Sequence, residues 1–381
     1  MAARHPIPRR HAYTLIELLV VIMIAILLMA VTLPAAKTVM ENARPREASR
    51  ILNATFATVK ARAASTGHLT GVDIVLSPVG DPAAMVVPQQ ATQMYMVEVP
   101  GIYGGDTLES LAAVDGGMGN SGWYPLVFHD SRPTATPPMP TEGASTTGTV
   151  ESLVQAVPGT YDISTDLFDI RFDQRGPWYP ARMKSAKVYE VNITGTFPAS
   201  VVGNFMGNQY RYASFQLRRP PNRVGNPIEL PKATCIDLSY SGIGPQGNEF
   251  GTGRKTLRIM FSPAGGVHSI TIGTASGSAS SGSPLGTVHL LVGLPQKVND
   301  PLGANSNGSF VKNMFDPETS NLADPNALWV SIGRASGLVT TTENAPPAFS
   351  TVTDANDAMQ QLQYLNTART YATAREQKGG L

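Results

Sequence analysis

Hydrophobic residues dominate one long stretch near the start of the chain. Residues 15–33 form a run of nineteen that is broken only by Glu17 and Thr32. As a helix this run is about 28 Å long, which is close to the hydrocarbon thickness of a bilayer. The pattern therefore predicts a helix that spans a membrane.

A second, amphipathic pattern follows over residues 35–66. Its small and apolar positions recur at steps of three and four, as on one face of a helix. These positions are Ala48, Leu52, Thr55, Phe56, Val59 and Ala63. Arginines and lysines crowd the other positions. We expect the apolar stripe to pack on the protein's own domain. The alternative is a basic surface that holds lipid headgroups or DNA. Pro45 predicts a kink or an interruption of this helix, and Gly67 predicts its end.

From residue 68 onward the pattern changes to short β-rich runs between glycines and prolines, which are typical of strands. Phe168, Ile170 and Phe172 alternate with polar residues, so one face of that strand is expected to be buried. Residues 129–149 and 273–286 have loop compositions. Residues 354–375 predict a C-terminal helix whose stripe lies at Ala358, Leu362, Leu365, Ala368 and Ala372. The expected fold is α+β, with a long N-terminal helix on a mainly antiparallel β domain.

Charge adds an orientation to this picture. The net charge is only +1, but Arg4, Arg9 and Arg10 precede the apolar run with no acid among residues 1–12. Such arginines keep the N-terminus in the cytoplasm and direct the rest of the chain across the membrane. A secretory signal peptide or an ordinary signal anchor would share this pattern. Neither explains Glu17, because a carboxylate within a membrane span is costly and is a functional candidate by default.

The residues around Glu17 are more specific than the hydrophobicity. Residues 9–22, which read RRHAYTLIELLVVI, resemble the prepilin leader and methylation motif of type IV pilins and type II secretion pseudopilins. The resemblance implies cleavage between Ala12 and Tyr13 and N-methylation of Tyr13. It makes Glu17 the assembly carboxylate, which pairs with the free amine of a neighbouring subunit. Pro34 matches the helix-kinking proline of pilins.

The same resemblance implies partners and a location. The partners are a prepilin peptidase, other pilins or pseudopilins, an inner-membrane assembly platform and membrane lipid. The protein would cross the bacterial inner membrane once, with a cytoplasmic N-terminus and a periplasmic domain, and a cell-surface filament is a further location. Three segments in the C-terminal half, residues 230–239, 259–266 and 329–339, follow one another in an order similar to the H-type minor pseudopilins.

These patterns divide the chain into four parts. Residues 1–12 are a cytoplasmic leader peptide, and residues 13–66 are the N-terminal helix, with a transmembrane part at 13–34 and an amphipathic part at 35–66. Residues 67–350 form a periplasmic β-rich domain, and residues 351–381 form a C-terminal helix and tail. H-type domains are usually smaller, so residues 78–228 are expected to be an insertion.

No group of residues predicts an active site, a cofactor or a metal. Residues 242–247 match GxGxxG by letter, but the residues that follow oppose the helix that a dinucleotide site needs. Four acids, Asp162, Asp166, Asp169 and Asp173, resemble a calcium-binding cluster in composition. However, Asp169 and Asp173 share the solvent face of a strand with Arg171, which offers a partner in place of calcium. The single cysteine, Cys235, excludes an intrachain disulfide and is expected to be a buried small residue. DNA binding is not expected, because Arg369, Arg375 and Lys378 make the tail only slightly basic.

The sequence thus predicts a structural protein and not an enzyme. The leading hypothesis is a minor pilin or pseudopilin subunit of a type IV pilus or a type II secretion pseudopilus. The alternative is a membrane-tethered binding module for a glycan or protein ligand that does not polymerise. Glu17 separates them, because only the first needs that carboxylate.

Overall fold

The computed structural model describes residues 15–78, 89–105, 107–114, 122–129, 168–185, 188–193, 212–245, 250, 254–274, 279–298, 314–345 and 358–377. Within these ranges the fold is α+β, and every strand pair is antiparallel. An N-terminal helix, two sheets and a C-terminal helix make up the described part of the chain.

The elements follow one another along the chain as two helices, sixteen strands and one short 3₁₀ turn, Pro295–Lys297, among the described residues. They are α1 (Leu15–Thr66), β1 (Thr70–Pro78), β2 (Gln89–Glu98), β3 (Leu111–Val114), β4 (Trp123–His129), β5 (Phe168–Phe172), β6 (Tyr179–Ser185), β7 (Val188–Asn192), β8 (Phe215–Arg218), β9 (Asn222–Glu229), β10 (Cys235–Ile243), β11 (Arg254–Phe261), β12 (Val267–Thr274), β13 (Ala279–Gly282), β14 (Val288–Gly293), β15 (Leu328–Ile332), β16 (Val339–Glu343) and α2 (Ala358–Gln377).

The main sheet lies between the two helices. Its order is β13-β12-β11-β1-β2-β10-β14-β15-β16, and β9 pairs with β2 beside β10. Successive residues of a strand point to opposite faces. Accordingly, Leu290 and Val292 share a core with α1, whereas Leu291 shares a core with α2. The result is three layers, with a helix on each side of one sheet.

The second half of α1 packs on the main sheet along the predicted stripe. All six stripe positions are buried, and Leu52 and Phe56 have no exposed surface. The helix ends where predicted, because Gly67 adopts φ +70° and donates a backbone hydrogen bond to Ala63 O at 3.0 Å. Of the two effects expected at Pro45, the interruption of the helix is wrong, and the kink stays a prediction. The helix runs through Pro45, and packing on the sheet from Ala48 onward supports it beyond the missing hydrogen bond.

Two turns of the main sheet meet beside α1. The turn between β11 and β12 and the turn between β15 and β16 touch, and Val267 N donates to Arg334 O at 2.9 Å. At Gly337, φ is +57°, and a Cβ atom there would lie 2.0 Å from Gly265 O. Only glycine fits so close an approach. Because β11 and β15 stand far apart in the strand order, the sheet must curl around α1 to bring these turns together.

The second sheet closes on itself. Its order is β3-β4-β7-β6-β5-β8, and its first strand meets the segment before its last strand. Ala112 and Ala213 exchange two backbone hydrogen bonds of 2.8 and 3.0 Å. Side chains fill the interior of so narrow a closed sheet. The predicted alternation of β5 is confirmed, since Phe168, Ile170 and Phe172 are buried there.

The second sheet is built from residues that lie between two paired strands of the main sheet. Glu98 at the end of β2 pairs with Asn222 at the start of β9, and the second sheet is formed between them. Strands β2 and β9 fall inside the predicted insertion of 78–228, yet they belong to the main sheet. The proposed domain boundaries stay a prediction.

Two local expectations are corrected by pairing and packing. The predicted loop 273–286 contains β13, which pairs with β12 and is tied to it by a 2.9 Å contact between the Thr271 and Ser281 hydroxyls. In α2, Leu362 is 40% exposed and Tyr364 is buried in its place. The predicted loop 129–149 lies outside the described residues, except for His129 at the end of β4.

Candidate functional site

The first half of α1 exposes apolar surface on all sides. Every described side chain from Leu15 to Ala30 is exposed, and thirteen of these are large hydrophobic residues, with exposures from 48% at Val20 to 84% at Leu15. An ordinary surface helix buries one apolar stripe, whereas a helix that is apolar all round is covered by something on every side. This half of α1 therefore needs lipid or other protein subunits around it.

Glu17 is the one charged residue in this apolar surface. It lies in the first turn of α1, and no other charged residue occurs between it and Lys37. The N-terminal end of a helix carries a partial positive charge, which favours a carboxylate in the first turn. The position thus suits an anion that binds a cationic group near the N-terminus.

The other predicted site residues are not brought together with Glu17. Ala12 and Tyr13 lie outside the described residues. Pro34 lies within α1, where the described backbone is helical on both sides of it. The cleavage, methylation and assembly roles of these residues stay predictions.

The predicted membrane span, residues 13–34, is described in part. The described side chains of α1 stop at Ala30 and resume at Ala43. In the part of the chain that the structure describes, no helix combines the length and the apolarity that crossing a membrane requires.

Basic residues in the second half of α1 anchor it to the domain. Lys60 Nζ donates to Ser336 O at 2.7 Å, and Arg62 Nε donates to Glu98 Oε2 at 2.7 Å. Arg46 lies 3.5 Å from Glu343. These contacts support packing on the protein's own domain over a surface for lipid or DNA, although Arg46 and Arg50 have side chains that are 71% and 81% exposed.

On the opposite face of the main sheet, α2 brings a buried cation to the strand ends. Arg369 has no exposed surface and donates to the backbone oxygens of Tyr240 and Gly244. It therefore adds nothing to a basic surface of the tail. His289 lies beside it, 3.0 Å from Ser331 Oγ and 3.4 Å from Thr373 Oγ1. Burial and, secondarily, the Arg369 charge lower the pKa of His289 from 6.5 to about 3.

A buried amide network that the sequence did not indicate fixes the segment before β15. Asn321 Nδ2 donates to Asp237 Oδ2 at 2.9 Å, and Trp329 Nε1 donates to Asn344 Oδ1 at 3.0 Å. Asn344 Nδ2 in turn donates to backbone oxygens of that segment, including Leu322 O at 2.7 Å. Asparagines in a loop give no sequence signal for such roles, because the partners lie on distant strands.

The remaining candidate chemistry is structural where it is described. Burial, with the Asp237 charge, raises the pKa of the Cys235 thiol well above its ordinary value, so this cysteine is a poor nucleophile. Among the described residues, no group of three or more histidine, cysteine or acidic side chains is arranged to hold a metal. Asp162 and Asp166 lie outside the described residues.

Comparison with known proteins bears on the N-terminus alone. Residues 7–33 match the family described as the prokaryotic N-terminal methylation motif. This match supports the pilin and pseudopilin family, whose role is structural and not enzymatic. The motif implies a membrane-anchored N-terminal segment, processing by prepilin peptidase and association with other pilins. No curated protein and no solved structure matches the chain.

Proposed function

We propose that this protein is a structural minor subunit of a type IV pilus or a type II secretion pseudopilus. Prepilin peptidase cuts it between Ala12 and Tyr13, Tyr13 is N-methylated, and residues 13–34 anchor it in the inner membrane. The mature helix then enters a filament on an assembly platform, and the β-rich domain faces the periplasm. The H-type subtype is part of this proposal and rests on the order of three sequence segments.

One observation carries the proposal. The motif match at residues 7–33 overlaps the first half of α1. This half exposes apolar side chains on all sides, and Glu17 is its only charged residue. A soluble domain does not keep such a surface uncovered. In pilins and pseudopilins, such a helix is surrounded by membrane lipid or by neighbouring subunits. A carboxylate in this apolar environment is stabilised by a cationic partner.

The mature N-terminus tests the processing step. Mass spectrometry of the membrane fraction should find a chain that begins at methylated Tyr13 and lacks residues 1–12. An intact Met1, or a cut near Ala36 as in a secretory signal peptide, would contradict the proposal. As a matched control, the same chain from a strain without prepilin peptidase should keep its leader.

Filament incorporation tests the assembly step against the tethered module. Glu17→Ala should abolish incorporation into sheared filaments or cross-linked pseudopili while membrane insertion continues. Glu47→Ala is the matched control, because Glu47 is an exposed acid on the same helix whose neighbour is Arg50 at 3.7 Å. Equal incorporation of both variants would favour the tethered module that does not polymerise.

A further inference from the structure

Arginine–aromatic stacks are concentrated on and beside the closed second sheet. Of the six cation–π contacts among the described residues, five involve aromatic rings between residues 95 and 178. The sixth contact, between Arg369 and Trp329, lies far from this sheet in the sequence. The concentration of the other five draws attention to the outer face of that sheet.

The outer face carries two guanidinium groups on a single ring. Arg171 and Arg218 lie 4.7 and 4.1 Å from the centroid of Trp178. Register places them on the outer face, since Arg171 pairs with Gln216 and Arg218 pairs with Asp169, while the alternate residues fill the interior. Arg171 Nε donates to Gln216 Oε1 at 2.7 Å, which fixes the direction of its fork. The Arg171 fork is therefore oriented before any ligand arrives, and Arg218 is held beside it by its stack on Trp178.

Among the described residues, Arg171 and Arg218 have no ion pair of the kind that their neighbour Arg182 has. Arg182 stacks on Trp123 and pairs with Glu190 at 2.8 Å, which neutralises it. In the described part of the chain, no carboxylate lies within 4.0 Å of the Arg171 or Arg218 guanidinium. The expectation that Arg171 pairs with Asp169 and Asp173 is therefore wrong, because Arg171 contacts Gln216 and Trp178 instead. Asp169 faces Arg218 across the strands, and the two charges interact, since the Arg218 charge acts to lower the pKa of Asp169 while burial raises it more strongly. This single carboxylate offsets at most one of the two guanidinium charges. Positive charge on this patch is left for an external partner.

We propose that Arg171, Arg218 and Trp178 form a docking site for an extended acidic segment of a partner protein. The two guanidinium carbons lie within about 9 Å of each other, since both contact one ring. Side chains at i and i+2 of an extended strand are about 6.6 Å apart on one side. A Glu-x-Glu segment thus presents two carboxylates at a separation that falls within this limit, and each carboxylate can accept from one arginine fork. Tryptophan and arginine are also the residues most enriched at interface hot spots.

Charge over the whole region counts against nucleic acid as the partner. Residues 99–221 contain eleven acidic and nine basic residues, a net charge of −2. Nucleic-acid affinity depends on many basic side chains that neutralise phosphates, and this region has no such excess. The site is a local pair of cations, which suits two carboxylates. This proposal does not depend on filament assembly.

Peptide binding to the full-length chain in detergent micelles tests the site. The probe is a fluorescent nonapeptide of alternating Glu and Thr, followed by anisotropy at low salt, and the control probe alternates Gln and Thr. Arg171→Gln with Arg218→Gln should weaken binding of the acidic peptide at least tenfold. Arg175→Gln is the matched control, because Arg175 is exposed in the adjacent turn and loses the same charge.

Four results would overturn the proposal. They are no binding by the unmodified chain, equal binding of the Gln–Thr peptide, an equal loss in Arg175→Gln, and tighter binding of a single-stranded DNA or a polygalacturonate probe. Circular dichroism checks that the double variant is folded. If it is not, Arg218→Gln alone gives the answer, since Arg218 is the exposed member of the pair and should still weaken binding severalfold.

Discussion

The two halves of α1 are one continuous helix with opposite relations to the rest of the protein. Residues 15–30 expose every described side chain and hold one charge, whereas residues 44–63 bury a narrow stripe and surround it with basic residues. The more hydrophobic half is the more exposed one. Burial in the domain therefore follows the spacing of apolar residues and not their number. The excess of apolar residues in the first half indicates a cover from outside the chain.

The largest expected effect comes from comparing two leucines of α1, one in each half. Leu52→Ala should lower the free energy of unfolding by about 2–5 kcal/mol, because it leaves a cavity in the main core. Leu19 is 56% exposed, so Leu19→Ala should leave the unfolding of the domain within about 0.5 kcal/mol of the unmodified protein. Urea unfolding in detergent micelles measures both. Similar losses in the two variants would erase the distinction between the halves.

The next test loosens the turns that hold the curled sheet around α1. Gly337→Ala should cost at least about 2 kcal/mol, because its φ of +57° is strained for alanine and its Cβ would strike the Gly265 backbone. Gly282→Ala is the control, since nothing lies within 4 Å of its added Cβ. Thermal unfolding compares the pair. A stable Gly337→Ala variant would show that the turns do not clamp the helix.

A third test uses pH to destabilise the face of the main sheet that lies opposite to α1, where His289 is buried. The pKa of His289 is lowered to about 3 when folded, so the unfolded chain binds the extra proton below pH 6.5. Stability from this histidine is complete above pH 6.5 and is lost as the pH falls toward 3. The loss is up to about 1.4 kcal/mol per pH unit, or about 2 kcal/mol at pH 5.

Substitution isolates that histidine from the acidic residues. His289→Gln should flatten the stability profile between pH 6.5 and 5, measured by urea unfolding at each pH. His268→Gln, at an exposed position, should leave the slope unchanged. An unaltered slope in His289→Gln would mean that another group causes the acid sensitivity.

The smallest effect is expected at an exposed ion pair at the edge of the second half of α1, the half that packs on the main sheet. The side chains of Arg46 and Glu343 are 71% and 65% exposed and 3.5 Å apart, and such pairs contribute little in water. Arg46→Ala should change the unfolding free energy by less than about 0.5 kcal/mol. A loss near that of Leu52→Ala would show that charge, and not the apolar stripe, holds α1 to the sheet.

The spacing of apolar residues was enough to predict the helix and the strand that pack on an apolar core, because any apolar neighbour satisfies them. The stripe of α1 and the alternation of Phe168, Ile170 and Phe172 needed no knowledge of what covers them. The interruption expected at Pro45 does not occur, because packing of the following residues on the sheet outweighs the cost of one missing hydrogen bond. In α2, Leu362 was expected to be buried, but Tyr364 is buried instead. The small residues of this helix do not fix which direction faces the sheet.

Long-range pairing and polar burial could not be read in this way. Strand β1 pairs with β11 and β2 with β10, and more than a hundred residues separate the members of each pair. Arg369 looked like a surface cation, and its burial depends on carbonyl groups that β10 happens to present. The Arg171–Trp178–Arg218 stack depends on register within the second sheet. The N-terminal motif was readable because it is contiguous, and for the same reason it says nothing about these distant contacts.

The pairing of Glu98 with Asn222 gives the molecule a natural graft point. Since the chain leaves and re-enters the main sheet at paired residues, we expect that the segment between them can be exchanged without a shift in the register of β2 and β9. A short hairpin turn in place of residues 99–221 should leave α1 and its sheet intact. Changes in this segment would then alter the outer surface of the protein and leave the packing of α1 on its sheet as it is.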